Sequence, residues 1–242
     1  MKSAAALIIG NELLSGKISD QNLVVLARAL RELGIDLTRV VMVQDRVDVI
    51  ADEVRLLSRE HDWLFTSGGI GPTHDDVTVE GVAKAFGVRV TVAAKMEAML
   101  RAHYGTRIRE GHLLMARIPE GARLVSNRAV PWPTVVCQNV WLFPGIPEVF
   151  AMKIPLLYDE LRADAPFVSL SVMTTLEEGE LKPLLDRVVA DFGEVEIGSY
   201  PKWNDPGYKT KLTFDGRALE RVREARDAFV HSLPAESIVG VE

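Results

Sequence analysis

Cys137 is the only cysteine among 242 residues. One thiol excludes an internal disulfide and a cysteine-built metal cage. Histidine is scarce too, and His74, His103 and His112 have neither an i, i+4 partner nor a cysteine neighbour, so zinc-ligand spacing is missing. There is no dense run of lysine and arginine, and the formal net charge is −6. Affinity for nucleic acid rests on clustered cations, so nucleic acid is not expected as a partner. No long apolar run occurs near the start. Residues 4–9 are apolar, but Asn11 and Glu12 follow at once. That is too short for a signal peptide's apolar core or for a membrane span. A cytoplasmic protein with no membrane partner is expected. What remains is 48% hydrophobic and 26% charged, the composition of a globular chain, with length for one larger and one smaller domain.

The most informative stretch is Thr66-Ser67-Gly68-Gly69-Ile70-Gly71-Pro72-Thr73-His74-Asp75-Asp76-Val77-Thr78. Trp63-Leu64-Phe65 before it predicts the end of a short buried strand. Val79, Val82, Ala83 and Phe86 after it have helical spacing. Three glycines therefore sit where a strand turns into a helix. Glycine allows φ > 0 and lets a ligand approach the main chain, and free N–H groups at a helix N-terminus favour an anion. Asp75 and Asp76 follow immediately. Acids beside a phosphate site repel it unless a cation intervenes, and a Mg²⁺-type ion held by one or two carboxylates plus ligand phosphates resolves the conflict. The alternative is a plain connector, with one aspartate as N-cap and the other solvated. The dinucleotide pattern G-x-G-x-x-G fails, because its third glycine would fall at His74.

Along the chain, residues 4–9 predict a strand buried on both faces. Gly10-Asn11-Glu12-Leu13-Leu14-Ser15-Gly16-Lys17 comes next. It is not a P-loop: five residues separate the glycines, and Ile18 stands where Ser or Thr should follow the lysine. Asn11 and Glu12 either reach a metal or a ribose, or are ordinary loop residues. Ser19 or Asp20 caps a helix running to Leu33, which Gly34 ends. A second strand over 35–43 leads to Asp45, an N-cap candidate for a helix over 47–59. The order β-α-β-α-β-α predicts a parallel sheet with helices on both faces, whose ligands bind beyond the strand C-termini. Asn11, Glu12, Asp45, Asp75 and Asp76 all fall on that edge. A short strand over 88–92 and a helix over 93–104 follow. Residues 105–130 hold five arginines (Arg107, Arg109, Arg117, Arg123 and Arg128) beside His112 in no clear period; an anion-facing flap is the alternative, and a solvated or subunit-facing surface is expected. Residues 134–136 and 140–143 predict a hairpin turning at Gln138-Asn139. Phe143-Pro144-Gly145-Ile146-Pro147 then forms a second loop, with Pro147 at position N1 of a helix over 148–161. From Pro166 the order becomes β-α-β-β-α-β, the ferredoxin-like order, with a turn-rich segment at 201–207. The expected domains are 1–165 and 166–242, with the boundary near Asp164-Ala165-Pro166.

With both loops in view, the first domain resembles the MoaB/Mog molybdopterin-binding-like family. The residues that carry this are Gly68 to Thr78 and Phe143 to Pro147, supported by Gly10 to Gly16. The family's usual loop has Thr where Ile70 stands, and often Asp where Asn11 stands. The long Pro-Thr-His-Asp-Asp-Val-Thr segment resembles the branch formed by the N-terminal region of CinA-type competence/damage-inducible proteins and of eukaryotic FAD synthases. So do Gly198-Ser199-Tyr200-Pro201 and Tyr208-Lys209-Thr210-Lys211-Leu212 of the second domain. The resemblance implies an α/β, three-layer parallel-sheet MoaB/Mog-like domain followed by a smaller α+β domain of ferredoxin-like order. A stand-alone version is expected, without the C-terminal domains of either group.

That branch implies a metal-dependent hydrolase, a nucleotide pyrophosphatase acting on ADP-ribose or FAD. The wider family implies molybdopterin binding or adenylyl transfer, and a non-catalytic nucleotide-binding module is the third expectation. Each takes a nucleotide or pterin phosphate as its small-molecule partner, and relatives imply a homo-oligomer. The expected cofactor is a divalent metal: Mg²⁺, with Mn²⁺ or Co²⁺ as alternatives. Gly68, Gly69, Gly71 and Thr78 are expected at the phosphate, with Asn11, Pro144 and Gly145 around the ligand. Asp76, helped by Asp75, and Glu12 are the expected metal ligands. Asp76, Asp75 and Asp45 are the expected catalytic residues, Asp45 completing the metal shell or orienting water.

Overall fold

The computed structural model describes residues 2–161, 165–203 and 206–242. The chain divides into two compact units between residues 164 and 165. The expected boundary stretch, in part, and the middle of the expected 201–207 turn lie outside the described residues.

The first unit begins with β1 (Ser3–Ile9), α1 (Asn11–Leu14), α2 (Asn22–Glu32), β2 (Asp36–Val43), α3 (Val47–Glu60), β3 (Trp63–Ser67) and α4 (Thr78–Phe86). The run in β1 is uniformly apolar because both of its faces are covered. Ala5, Leu7 and Ile9 enter one core with Ile50 and Val54 of α3 and Val82 of α4. Ala4, Ala6 and Ile8 enter a second core on the other face with Leu26 and Leu30 of α2. Next come β4 (Val90–Val92), α5 (Ala94–Tyr104), α6 (Glu110–Leu114), β5 (Arg117–Pro119), β6 (Arg123–Val125), β7 (Thr134–Cys137), β8 (Val140–Phe143), α7 (Pro147–Lys153) and α8 (Pro155–Glu160).

The sheet order is β2-β1-β3-β8-β7-β6. The pairs from β2 to β8 are parallel, as expected, but β8-β7 and β7-β6 are antiparallel, so the sheet is mixed. For β8-β7 the physical reason is the short turn at Gln138-Asn139, which can join only antiparallel neighbours; Gln138 takes φ 52° there. Strand β4 pairs with β5 in a separate ribbon. The helix expected over 148–161 is two helices, because Pro155 has no N–H to continue the first and instead starts the second.

Helices α3 and α4 touch at Gly81. A Cβ there would lie 2.4 Å from Ile50 Cγ2 and 2.7 Å from Ile50 Cβ. The Gly81→Ala variant is expected to lose about 1–3 kcal/mol through overpacking, more than the ~0.5–1 kcal/mol that alanine returns in a helix. Urea unfolding measures this, and a stability gain would mean that the helices are free to separate.

The second unit contains β9 (Val168–Thr174), α9 (Glu178–Asp191), β10 (Glu196–Pro201), β11 (Thr210–Gly216), α10 (Leu219–Ser232) and β12 (Ile238–Val241). Its sheet order is β10-β11-β9-β12, antiparallel throughout. The β-α-β-β-α-β order is the one expected. Strand β11 alternates buried and half-buried residues, and Leu212 and Phe214 pack on Val222 and Phe229 of α10. Among the described residues no helix is long and apolar enough to cross a membrane.

Candidate functional site

Strands β1, β2, β3 and β8 run parallel, so their C-terminal ends share one edge of the sheet. Strand β7 is antiparallel to β8, so its first residue, Thr134, lies on that edge too. A cleft of about 730 Å³ runs along it.

The glycine loop forms the middle of the cleft. Gly68 has φ 104° and Gly69 φ 67°. The Gly68 amide donates to the Phe143 carbonyl at 3.1 Å, and the Thr78 amide donates to the Gly69 carbonyl at 2.9 Å. The Thr78 hydroxyl donates to the Gly68 carbonyl at 2.8 Å. Thr78 is fully buried and is not part of the cleft wall, so it holds the loop and does not face a ligand. Among the described residues, no protein acceptor takes the amides of Gly69, Ile70 or Gly71. An anion at this site would meet loop amides, since the Thr78 amide at the helix start is already used.

Asp76 turns back on its own loop. Its Oδ2 accepts from the Thr73 amide at 2.7 Å and from the Thr73 hydroxyl. A Cβ on Gly71 would lie 2.6 Å from that oxygen. Neither aspartate caps α4, whose N-cap is Val77 without a side-chain bond. The Thr73 hydroxyl beside Asp75 holds that exposed carboxyl below the usual carboxylate range.

At the β1–β2 end, Glu12 and Asp45 line the cleft. Asp45 is not the N-cap of α3, which is Arg46. Its Oδ2 instead accepts the Asn11 amide at 2.7 Å. Asn11 thus contributes its backbone, and its exposed side chain is not part of the wall. Burial pushes the Asp45 carboxyl above its usual range; the Asn11 amide opposes this, and the charges of Glu12 and Asp75 reinforce it. Asp45 therefore feels the charges of both Glu12 and Asp75 across the cleft.

Pro144 and Gly145 form the opposite lip. A Cβ on Gly145 would lie 3.3 Å from Gly68 Cα, so the two loops abut. Asn22, 3% exposed, clips them together: its Nδ2 donates to Ser67 Oγ and to the Gly145 carbonyl, each at 2.9 Å. Removing this clip in Asn22→Leu leaves the buried Ser67 hydroxyl and the part-buried Gly145 carbonyl without that donor. A loss of about 1–3 kcal/mol is expected in chemical denaturation; an unchanged midpoint would mean that water replaces the amide.

Asn22, Thr134, Lys153 and Arg117 also line the cleft, and none was singled out from the sequence as a site residue. Lys153 is 5% exposed. Its Nζ donates to the Pro133 carbonyl at 3.1 Å and to the Trp132 carbonyl. Burial pushes its pKa down to about 8. A signal did exist, because Phe150, Lys153, Ile154 and Leu157 have the i, i+3, i+4, i+7 spacing of a buried face. Arg117 lies in the stretch expected to be surface; it pairs with Glu80 at 2.5 Å.

Among the described residues, no group of three or more His, Cys, Asp or Glu could hold a metal. A cation caged by protein alone does not fit. The carboxylates of Glu12, Asp45 and Asp75 fit an ion that takes one or two of them and completes its shell with phosphate and water.

Residues 5–162 match the family model described as a probable molybdopterin binding domain. The chain belongs to that family. Residues 166–242 match the model for the middle domain of FAD synthase. Similar proteins include one from Archaeoglobus fulgidus, 33% identical over 91% of this chain and 93% of its own length. A probable FAD synthase of Caenorhabditis briggsae is 31% identical over 94% of this chain, which spans about half (49%) of that relative's length. Among solved structures, the CinA protein of Thermoplasma acidophilum, of unknown function, is 30% identical with a TM-score of 0.61, covering 66% of this chain and 97% of that one. The MoaB/Mog-like, CinA-like and FAD-synthase-like resemblance read from the loops is therefore shown.

Proposed function

We propose that the cleft binds a nucleotide diphosphate such as FAD or ADP-ribose and, with a divalent metal, hydrolyses its pyrophosphate bond. The observation that carries this reading is the set of unpaired amides at Gly69, Ile70 and Gly71 in the middle of the cleft, with Glu12, Asp45 and Asp75 at one end of it. Successive amides of this kind form a concave anion site. The match of the second unit to an FAD synthase domain supports a flavin nucleotide.

The loop amides bind one phosphate. Asp75 and Glu12 would hold the ion; Mg²⁺ fits, and Mn²⁺ or Co²⁺ could substitute. When bound, a divalent ion supplies charge neutralisation of the diphosphate and activation of water. Asp45, its pKa raised, is the carboxylate best suited to accept a proton from that water. Asp76 keeps the loop folded through Thr73 and is a positioning residue. Pro144 and Gly145 close the lip over the ligand.

The test is product analysis by HPLC after incubation with ADP-ribose, FAD, NAD or CoA, each with Mg²⁺, Mn²⁺ or Co²⁺ and with an EDTA control. Metal-dependent release of AMP from ADP-ribose, FAD or NAD, or of adenosine 3′,5′-bisphosphate from CoA, is the expected result. Intact substrates under every metal would overturn the hydrolase reading. The family description favours a second reading, molybdopterin binding or adenylyl transfer. It uses the same loop amides, and recovery of a bound pterin from purified protein would support it.

A further inference from the structure

The cleft has two chemically different ends. Glu12 and Asp45 lie after β1 and β2, the glycine loop with Asp75 after β3, and Lys153 beside the start of β7. Two strand spacings separate β3 from β7, about 10 Å, a reach that a ribosyl or ribityl linker covers. Three observations coincide at the β7 end. Lys153 is buried in the cleft wall, and among the described residues no carboxylate pairs with it; its partners are the carbonyls of Trp132 and Pro133. Thr134, the next residue, is 3% exposed and its hydroxyl has no partner. Thr134 shares its face of β7 with Val136, whose core includes Phe150 and Ile154 on either side of Lys153. On the other face of the same sheet edge the cleft wall is apolar, built by Trp132, Met96, Met115 and Leu142.

A buried cation without a counter-ion and a buried hydroxyl without a partner are both unfavourable in the free protein. A ligand that brings acceptors relieves both. The apolar wall favours a flat ring over a second, heavily hydrated phosphate. We infer that the β7 end is a ring-recognition subsite in which Lys153 and Thr134 donate to the carbonyl edge of a flavin- or pterin-type heterocycle. This rests on the nucleotide reading above and adds to it a choice of ring: adenine has no carbonyl edge, only single ring-nitrogen acceptors, and gains less from the Lys153 and Thr134 donors together. With a pKa of about 8, Lys153 remains mostly cationic at pH 7.

The experiment measures binding of three monophosphates by calorimetry at pH 7: riboflavin 5′-phosphate, neopterin phosphate and AMP. All three offer a phosphate to the glycine loop, so a purely structural role of Lys153 would weaken them alike. In Lys153→Met, affinity for the flavin or the pterin is expected to fall about 10- to 100-fold, the effect of a charged hydrogen bond, while AMP changes less than about twofold. Whichever ring responds identifies the source. Equal losses for all three, or no loss for any, would overturn the subsite. Wild-type binding of AMP alone would overturn it and leave the nucleotide reading standing. Binding of none of the three would overturn both. Thr134→Val, which keeps the side chain's shape, is the second variant should Lys153→Met fail to fold; a loss of about threefold to tenfold confined to the same ring is expected, and an equal loss for AMP would count against it.

Discussion

Gly68→Ala is expected to destabilise the first unit by about 3–5 kcal/mol and to abolish ligand binding in the cleft. Two independent effects add. The backbone at Gly68 has φ 104°, outside the conformations an L side chain adopts comfortably. A Cβ there would also lie 2.2 Å from the Ile9 carbonyl oxygen and 3.3 Å from its carbon. These are backbone atoms at the end of β1, which is paired on both sides, by β2 and β3. They cannot swing away as a side-chain tip can, so the β1 and β3 ends must separate where the cleft begins. Gly145, whose own Cβ position lies 3.3 Å from Gly68 Cα, would lose its seat as well. Gly16 provides the control. It too has positive φ, 71°, but nothing lies within 4 Å of its Cβ position. Gly16→Ala is expected to lose only the conformational part, about 1–2 kcal/mol. Urea midpoints of both variants check this; a Gly68→Ala midpoint equal to that of Gly16→Ala would show that the close approach is not the larger effect.

Hydrophobic periodicity made most of the fold legible. The buried run of β1, the amphipathic helices α2 and α3, and the β-α-β-β-α-β order of the second unit all come from patterns that burial imposes directly. The antiparallel edge was legible only as a hairpin, because its place beside β3 depends on pairing across about 75 residues, between Leu64 and Val140 for example. The glycine loop and its partner loop were legible because glycine and proline mark backbone geometry. Individual side-chain roles were less so. Asp45 satisfies the local rule for an N-cap, yet it accepts an amide 34 positions away at Asn11. Thr78 belongs to the same motif as the glycines, yet its hydroxyl turns inward to Gly68. Asn22 and Lys153 occupy buried positions of amphipathic helices, where a pattern built on apolar residues passes over the polar ones.

Asp45 and Asp75 are expected to separate stability from activity. Asp45 has a folded-state pKa raised above its usual 3.8, with burial the largest cause and the charges of Glu12 and Asp75 adding to it. Below 3.8 the group is protonated in both folded and unfolded chains and contributes nothing. As pH rises from there through the raised folded pKa, ionisation favours the unfolded chain, and this penalty persists at neutral pH. Asp45→Asn removes it, while the asparagine oxygen can still accept the Asn11 amide. The variant should therefore melt at a higher temperature than wild type at pH 7, and the gain should vanish near pH 3. Asp75 has the opposite sign: its pKa is lowered, the Thr73 hydroxyl being the largest cause. Its favourable contribution is present above 3.8 and fades as pH falls through the lowered value, so Asp75→Asn gains no stability at pH 7. Metal-dependent turnover should fall in both, by about 100-fold or more, since each carboxylate faces the ion or the water in the proposed reaction. Melting curves at pH 7 and pH 3 with AMP release on the same samples make the comparison. An Asp45→Asn protein that melts lower at pH 7, or that keeps full turnover, would remove Asp45 from the site; a stabilised, inactive one is what an acid held in a repulsive cluster for its chemistry produces.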